Sequence, residues 1–225
     1  MRQLTSHFSL CASALTTSLL VAACGGGGSS ASPSVAKSSG FAVDGYLSGA
    51  TILCDANANA ESDAGEASTT TDTSGFFRFD RACAAGLVAT GGTSIDTALP
   101  FRGKPKAPQG STMITPLTTL VSNGMTLDRI NAALGLPACT DVSTLDPARA
   151  IGGEYQRLDL FRKTLAIQQI LQKTAETLAN VAGAGASAVK PVIYSDVATA
   201  VAAQLRTNPA LLSGNTLTPQ HWPRL

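Results

Sequence analysis

The sequence predicts an α+β fold, in which a small antiparallel β-sandwich is followed by an all-α C-terminal region. Two observations lead to this prediction. Short β-branched and aromatic runs, each broken by turn residues, occupy residues 41–110. From residue 111 to residue 210 the apolar positions recur with a helical period instead, and residues 211–225 form a tail.

The predicted strands are short and are separated by turn residues. Residues 50–54 form one β-branched strand, and residues 87–90 form another. Residues 67–71 and 76–79 flank an Asp-Thr-Ser-Gly turn at 72–75, which predicts a hairpin. Within its second strand Phe77 and Phe79 alternate with polar residues, so we expect one face of this strand to be buried.

Two short helices are predicted from their end signals. Thr115 is predicted as the N-cap, with Pro116 at the first helical position, and Asn123 with Gly124 ends that helix. Thr126 caps the second helix, which Gly135 and Pro137 close.

Two further helices follow from periodicity. A long helix is predicted for residues 154–181, and Ser195 is predicted to cap the last helix, which carries Val197, Val201 and Leu205 at intervals of four. The main apolar stripe of the long helix consists of Leu160, Ile167, Leu171, Leu178 and Val181.

Composition excludes one broad class of function. The 225 residues include 16 basic and 15 acidic side chains, and charged residues make up only 14% of the chain. A nearly neutral chain offers no electrostatic footprint for a phosphate backbone, so we expect no nucleic-acid partner.

The N-terminus has the pattern of a secretory signal. Residues 1–23 carry Arg2 and no acidic residue, followed by an apolar stretch from Phe8 and small residues before Cys24. Val21-Ala22-Ala23-Cys24 resembles the lipobox of bacterial lipoproteins, which implies that Cys24 is acylated and anchors the chain in a membrane. Gly25, where inner-membrane lipoproteins carry Asp, favours the outer membrane, facing the periplasm or the surface. The alternative is an ordinary cleaved signal, and residues 24–40 form a Gly/Ser-rich tether in either case.

Residues 55–66 carry oxygen ligands with the spacing of a twelve-residue calcium loop. Because Ca²⁺ takes six to eight oxygens, alternate side chains in a tight loop can converge on it, with the last carboxylate binding through both oxygens. The carbonyl of Glu61 would supply the seventh position. The side-chain ligands are Asp55, Asn57, Asn59, Asp63 and Glu66.

Two features weigh against a calcium loop. The sixth position is Ala60, where such loops usually carry Gly, and a β-carbon in a left-handed conformation costs on the order of 1 kcal/mol. Residues 52–54 also predict a strand before the loop rather than the helix of an EF-hand. The alternative interpretation is an acidic surface turn between two strands.

Three segments together resemble a known group of modules. Residues 44–51, the loop at 55–66 and residues 71–76 are similar to the calcium-loop sandwich modules of bacterial surface proteins, of the SdrD B-repeat-like and carboxypeptidase-regulatory-like (transthyretin-like) kinds. Together with the helical remainder from Thr115, the chain resembles uncharacterised surface lipoproteins of Gram-negative bacteria. The resemblance implies a non-catalytic module in which calcium is a structural ion.

An exported chain can keep disulfides, and three cysteines follow Cys24. Cys54 and Cys83 both belong to the sheet region, which favours a Cys54–Cys83 bond. Pairing of Cys139 with either of them is the alternative.

The sequence predicts no catalytic group. Beyond the signal, His221 is the only histidine, and no Gly-x-Ser-x-Gly motif accompanies it. We therefore expect a binding or structural module whose partner is an unknown envelope protein or extracellular ligand. The alternative function is a carboxylate-dependent hydrolase with its site between the sheet and the helices.

Overall fold

The fold is taken from a computed structural model, which describes residues 38–149, 155–181, 183 and 191–207. Within these residues the strands precede the helices, which confirms the α+β prediction. The strands are β1 (Ser39–Ala42), β2 (Leu47–Ser48), β3 (Thr51–Asp55), β4 (Ser68–Thr70), β5 (Phe76–Arg78), β6 (Gly86–Thr90), β7 (Thr93–Ser94), β8 (Lys106–Ala107) and β9 (Met113–Ile114). The helices are α1 (Pro116–Ser122), α2 (Leu127–Leu134), α3 (Tyr155–Val181) and α4 (Pro191–Thr207).

Three small sheets make up the β region of the described chain. One has the strand order β4-β3-β6-β8, a second has the order β5-β1-β9, and β2 pairs with β7. All pairs are antiparallel except β1 with β9, which run parallel. The two larger sheets contribute to one hydrophobic core, whose members include Ala42, Ile52, Phe77, Ala89 and Ile114.

The predicted hairpin at residues 67–79 is wrong. Strand β4 pairs with β3, whereas β5 pairs with β1 in a different sheet. The turn between them is still capped as its composition indicates, because Oδ1 of Asp72 accepts from the amide N–H groups of Ser74 and Phe76. The chain therefore passes from one sheet to the other at this turn, and Phe77 and Phe79 are buried as predicted.

Both short helices begin and end where the sequence predicts. Thr115 caps α1, with its hydroxyl accepting from the amide N–H of Thr118. Thr126 caps α2, and Gly135 ends that helix in the left-handed conformation.

The two long helices differ from the prediction in detail. Helix α3 has the predicted length, but Leu178 and Val181 are 46% and 83% exposed. The core instead takes up small residues that let α3 and α4 approach closely: Ala175, Ala179, Ala198 and Ala202. The prediction that Ser195 caps α4 is wrong because the helix already begins at Pro191, a residue suited to a first turn.

The disulfide prediction is confirmed. Cys54 and Cys83 are bonded, with their Cα atoms 5.7 Å apart, so pairing of Cys139 with either of them is excluded. Cys139 is not a free thiol and takes no part in this bond. The Cys54–Cys83 bond joins the end of β3 to the segment after β5, and both half-cystines pack on the core between the sheets.

Several predictions fall outside the described residues, namely the signal at 1–23, the acylated Cys24, most of the tether at 24–40 and the tail at 211–225. The last residues of the predicted tether are described, and β1 already begins at Ser39. None of the helices in the described part of the chain combines the length and apolar character that crossing a membrane requires.

Candidate functional site

The predicted calcium loop connects β3 to β4 at one edge of the four-stranded sheet. Asp55, its first residue, closes β3 and pairs with Gly86 of β6. Asp55 and Ala60 are buried, whereas Asn57, Asn59, Asp63 and Glu61 are exposed. The adjacent Cys54–Cys83 bond fixes the strand end from which the loop departs.

Asp55 has one satisfied and one unsatisfied carboxylate oxygen. Its Oδ2 accepts from the amide N–H of Ala60 at 2.9 Å, which closes the first half of the loop. Its Oδ1 is buried without a hydrogen-bond partner, although the residue is only 6% exposed. Burying a carboxylate oxygen without a partner is costly, so this atom is a candidate ligand for a cation.

Glu66 joins the two ends of the loop. Its Oε1 accepts from the amide N–H of Ala56 at 2.7 Å, and its Oε2 accepts from the amide N–H of Asp63 at 3.3 Å. The last acidic residue therefore folds back over the first residues, as the twelfth position of a calcium loop must.

Asn57 and Asn59 surround Asp63. The Nδ2 atoms of both asparagines donate to Oδ2 of Asp63, each at 2.7 Å. These two hydrogen bonds, from Asn57 first, lower the pKa of Asp63. Oδ1 of Asn57 accepts from the backbone N–H of Asn59 at 3.0 Å, and Oδ1 of Asn59 accepts from the backbone N–H of Glu61 at 2.7 Å. The side chains at the third, fifth and ninth positions are thus brought together.

Ala60 adopts the left-handed conformation that favours Gly, with φ 60°. The exposed Ala58 does the same with φ 61°. Ala60 is buried in a small cluster with Leu53 and Val88. Burial of its methyl group offsets part of the conformational cost, so the alanine does not prevent the loop from forming the expected turn.

Sequence reasoning missed Lys104, which supplies a positive charge to a loop that has none of its own. The Lys104 ammonium donates to the carbonyl of Ala60 at 2.5 Å and to Oε1 of Glu61 at 2.8 Å. Lys104 lies 43 residues from Glu61 along the chain. Nothing in the local pattern marks it, because only the pairing of β8 with β6 brings it near the loop.

A calcium ion here would depend on amide and carbonyl oxygens as well as carboxylates. In the described part of the chain, no three His, Cys, Asp or Glu side chains cluster closely enough to hold a metal ion by themselves. Ca²⁺ also commonly binds the oxygens of Asn side chains and of backbone carbonyls, which are not among these four residue types. The donor set therefore fits calcium and does not fit a transition metal that needs His or Cys.

A second group of polar side chains lies between the sheets and the helices. Burial, and secondly the charge of Asp96, raise the pKa of Asp44 from 3.8 to about 6, although a hydrogen bond from Gln168 opposes the shift. Gln168, on α3, also accepts from the hydroxyl of Tyr194 on α4 at 2.8 Å. We call the group of Asp44, Asp96, Gln168 and Tyr194 the Asp44 corner.

Gly45 is required at this corner. Its φ is 74°, and a β-carbon there would lie 2.7 Å from Oδ2 of Asp96. The following Tyr46 donates its hydroxyl to Oδ2 of Asp146 at 2.8 Å. Burial, and secondly this hydrogen bond, raise the pKa of Tyr46. These contacts tie the turn after β1 to the segment before α3.

No family model, curated protein or solved structure matches this chain. The resemblance to calcium-loop sandwich modules and surface lipoproteins stays a prediction that depends on the residues quoted for it.

Proposed function

We propose that this chain is a non-catalytic envelope or surface lipoprotein, anchored in the outer membrane through acylated Cys24, with a structural calcium ion in the loop at residues 55–66. The ion would fasten the link between β3 and β4. The module would then present a stiff surface to an envelope protein or an extracellular ligand.

The observation that carries the calcium proposal is the buried, unpartnered Oδ1 of Asp55. A divalent cation would satisfy this oxygen and would offset two of the three negative charges of Asp55, Asp63 and Glu66. The remaining oxygens would come from Asn57, Asn59 and the carbonyl of Glu61, which completes the six or more that Ca²⁺ requires. Oδ1 of each asparagine accepts one backbone N–H and has a second lone pair, which a cation could bind without breaking that hydrogen bond.

The calcium site is tested by thermal unfolding of the full-length chain in EGTA and in excess calcium. Calcium at ten times its Kd stabilises the folded state by about 1.4 kcal/mol, which raises Tm by about 3–6 °C for a chain of this size. Glu66→Gln should lose this rise, whereas Asp128→Asn, which removes an exposed charge on α2 outside the loop, should keep it. A parent Tm that is the same in EGTA and in calcium would show that the loop holds no ion.

The anchor is tested by mass spectrometry of the N-terminus of the protein purified from envelopes. We expect a chain that begins at Cys24 and carries acyl groups. A chain that begins at Met1 would overturn both the anchor and the predicted outer-membrane location.

The Asp44 corner is the observation that favours the alternative, a carboxylate-dependent hydrolase. A pKa near 6 suits a general acid, and Asp44 lies between the sheets and the helices. The parent would be assayed for hydrolysis of a panel of glycoside, ester and peptide substrates. Hydrolysis by the parent that Asp44→Asn abolishes would establish this alternative. Activity that is absent, or unchanged in the variant, would remove it.

A further inference from the structure

Lys104 is a buried cation that contacts the loop at Ala60 and Glu61. The residue is 5% exposed, and its ammonium is held by one carbonyl and one carboxylate. The carboxylate belongs to Glu61, whose side chain is 63% exposed. Lysine is rarely buried to this extent unless its ammonium is paired. We therefore expect the two contacts of Lys104 to constrain the conformation of the loop.

The consequence falls on the peptide group between Ala60 and Glu61. Lys104 binds the carbonyl of this peptide, and Oδ1 of Asn59 accepts from its N–H at 2.7 Å. Both ends of one planar group are therefore fixed, which sets its orientation. The direction of the next carbonyl, the proposed backbone ligand, then depends only on the φ and ψ angles of Glu61.

We propose that Lys104 is a positioning residue for the calcium loop, which orients the carbonyl of Glu61 toward the ion without touching the ion. This inference rests on the proposed calcium site. It is not an obvious role for a cation, because electrostatic repulsion alone would make Lys104 weaken calcium binding. Positioning and repulsion therefore predict opposite effects when the ammonium is removed.

The test is isothermal titration of the full-length chain with calcium chloride. Groups that orient metal ligands typically contribute about 10–100-fold to metal affinity. Lys104→Met should accordingly raise the Kd for calcium by about tenfold or more, whereas Lys104→Arg, which retains charge and donors, should recover most of the affinity. Lys106→Met is the matched control, because Lys106 is two residues away and has no described contact with the loop, and its Kd should stay within about twofold.

A purely structural role is separated by unfolding in EGTA. Such a role would lower Tm equally with and without calcium and would leave the Kd at low temperature unchanged. Unchanged or tighter calcium binding by Lys104→Met would overturn the positioning role. If this variant does not fold, Lys104→Gln takes its place, and tighter binding by that neutral variant would overturn the role.

The outcomes also distinguish the two proposals. A parent chain that binds no calcium overturns the proposed calcium site and the role of Lys104 with it. A parent that binds one calcium ion, with no loss of affinity in Lys104→Met, leaves the site intact and overturns only the positioning role.

Discussion

The loop at residues 55–66 and the Asp44 corner each bury a carboxyl group, but their surroundings differ. At Asp55 one carboxylate oxygen accepts from the amide N–H of Ala60, and the other is buried without a hydrogen-bond partner and can still bind a cation. Around Asp44 the strongest neighbouring charge is a second carboxylate, Asp96. The loop is therefore suited to a divalent cation, whereas the corner is suited to a proton. The comparison teaches that neighbouring donors and charges decide how a buried acid is neutralised.

The largest expected effect comes from removing the disulfide, which lies beside the loop. The Cys54→Ser/Cys83→Ser double variant should lose about 3–4 kcal/mol of stability, because the bond closes a chain segment with a sequence separation of 29. Denaturant unfolding measures this loss, with peptide mapping of the parent without reductant as the check on pairing. If the bond supports only the loop, the pH dependence caused by Asp44 should survive. A variant as stable as the parent would contradict the role of the bond.

The second effect is the pH dependence of stability at the corner. The folded-state pKa of Asp44 is raised to about 6 from 3.8, so the folded protein binds this proton more tightly than the unfolded chain does. The resulting stabilisation is complete below about pH 3.8 and is lost as pH rises through about 6. The groups facing the carboxyl are Asp96, Gln168 and Tyr194.

Asp44→Asn tests this pH dependence, because the amide resembles a carboxyl that is always protonated. At pH 7.5 the variant should be more stable than the parent by roughly 2–3 kcal/mol, and the difference should vanish near pH 4. Unfolding at a series of pH values measures it, and Asp128→Asn, an exposed change in the first turn of α2, is the control. Equal stability of parent and Asp44→Asn at both pH values would contradict the account of the corner.

The smallest effect compares two alanines within the loop. Ala58 and Ala60 have nearly the same positive φ, but only Ala60 is buried. Ala58→Gly should therefore stabilise the protein by on the order of 1 kcal/mol by relieving strain. Ala60→Gly should gain less, because it also removes a buried methyl group. Thermal unfolding in EGTA ranks the two variants, and a gain for Ala60→Gly that equals or exceeds that for Ala58→Gly would contradict a stabilising contribution from the buried methyl group.

Local signals were sufficient for much of the fold. Thr115, Thr126 and Gly135 mark helix ends by interactions with their immediate neighbours, so the short helices are predicted almost to the residue. The burial of Phe77 and Phe79 follows from alternation, and the short apolar run at residues 87–90 predicts β6.

Features that depend on distant residues could not be predicted. The strands on either side of Asp72 have the composition of a hairpin. They lie in two different sheets because β4 pairs with β3 and β5 pairs with β1. Leu178 belongs to the periodic stripe, but α3 and α4 contact through alanines there and leave it exposed. The local pattern predicts five side-chain ligands in the loop, whereas the contact of Lys104 with the loop depends on tertiary structure.

The central claim is tested most directly by calcium titration of the full-length parent and of Asp55→Asn, which removes the buried charge with almost no change in shape. We predict one calcium ion per chain in the parent and no measurable binding in the variant under the same conditions. Binding that is absent from the parent, or that persists unchanged in Asp55→Asn, would contradict a calcium site in this loop.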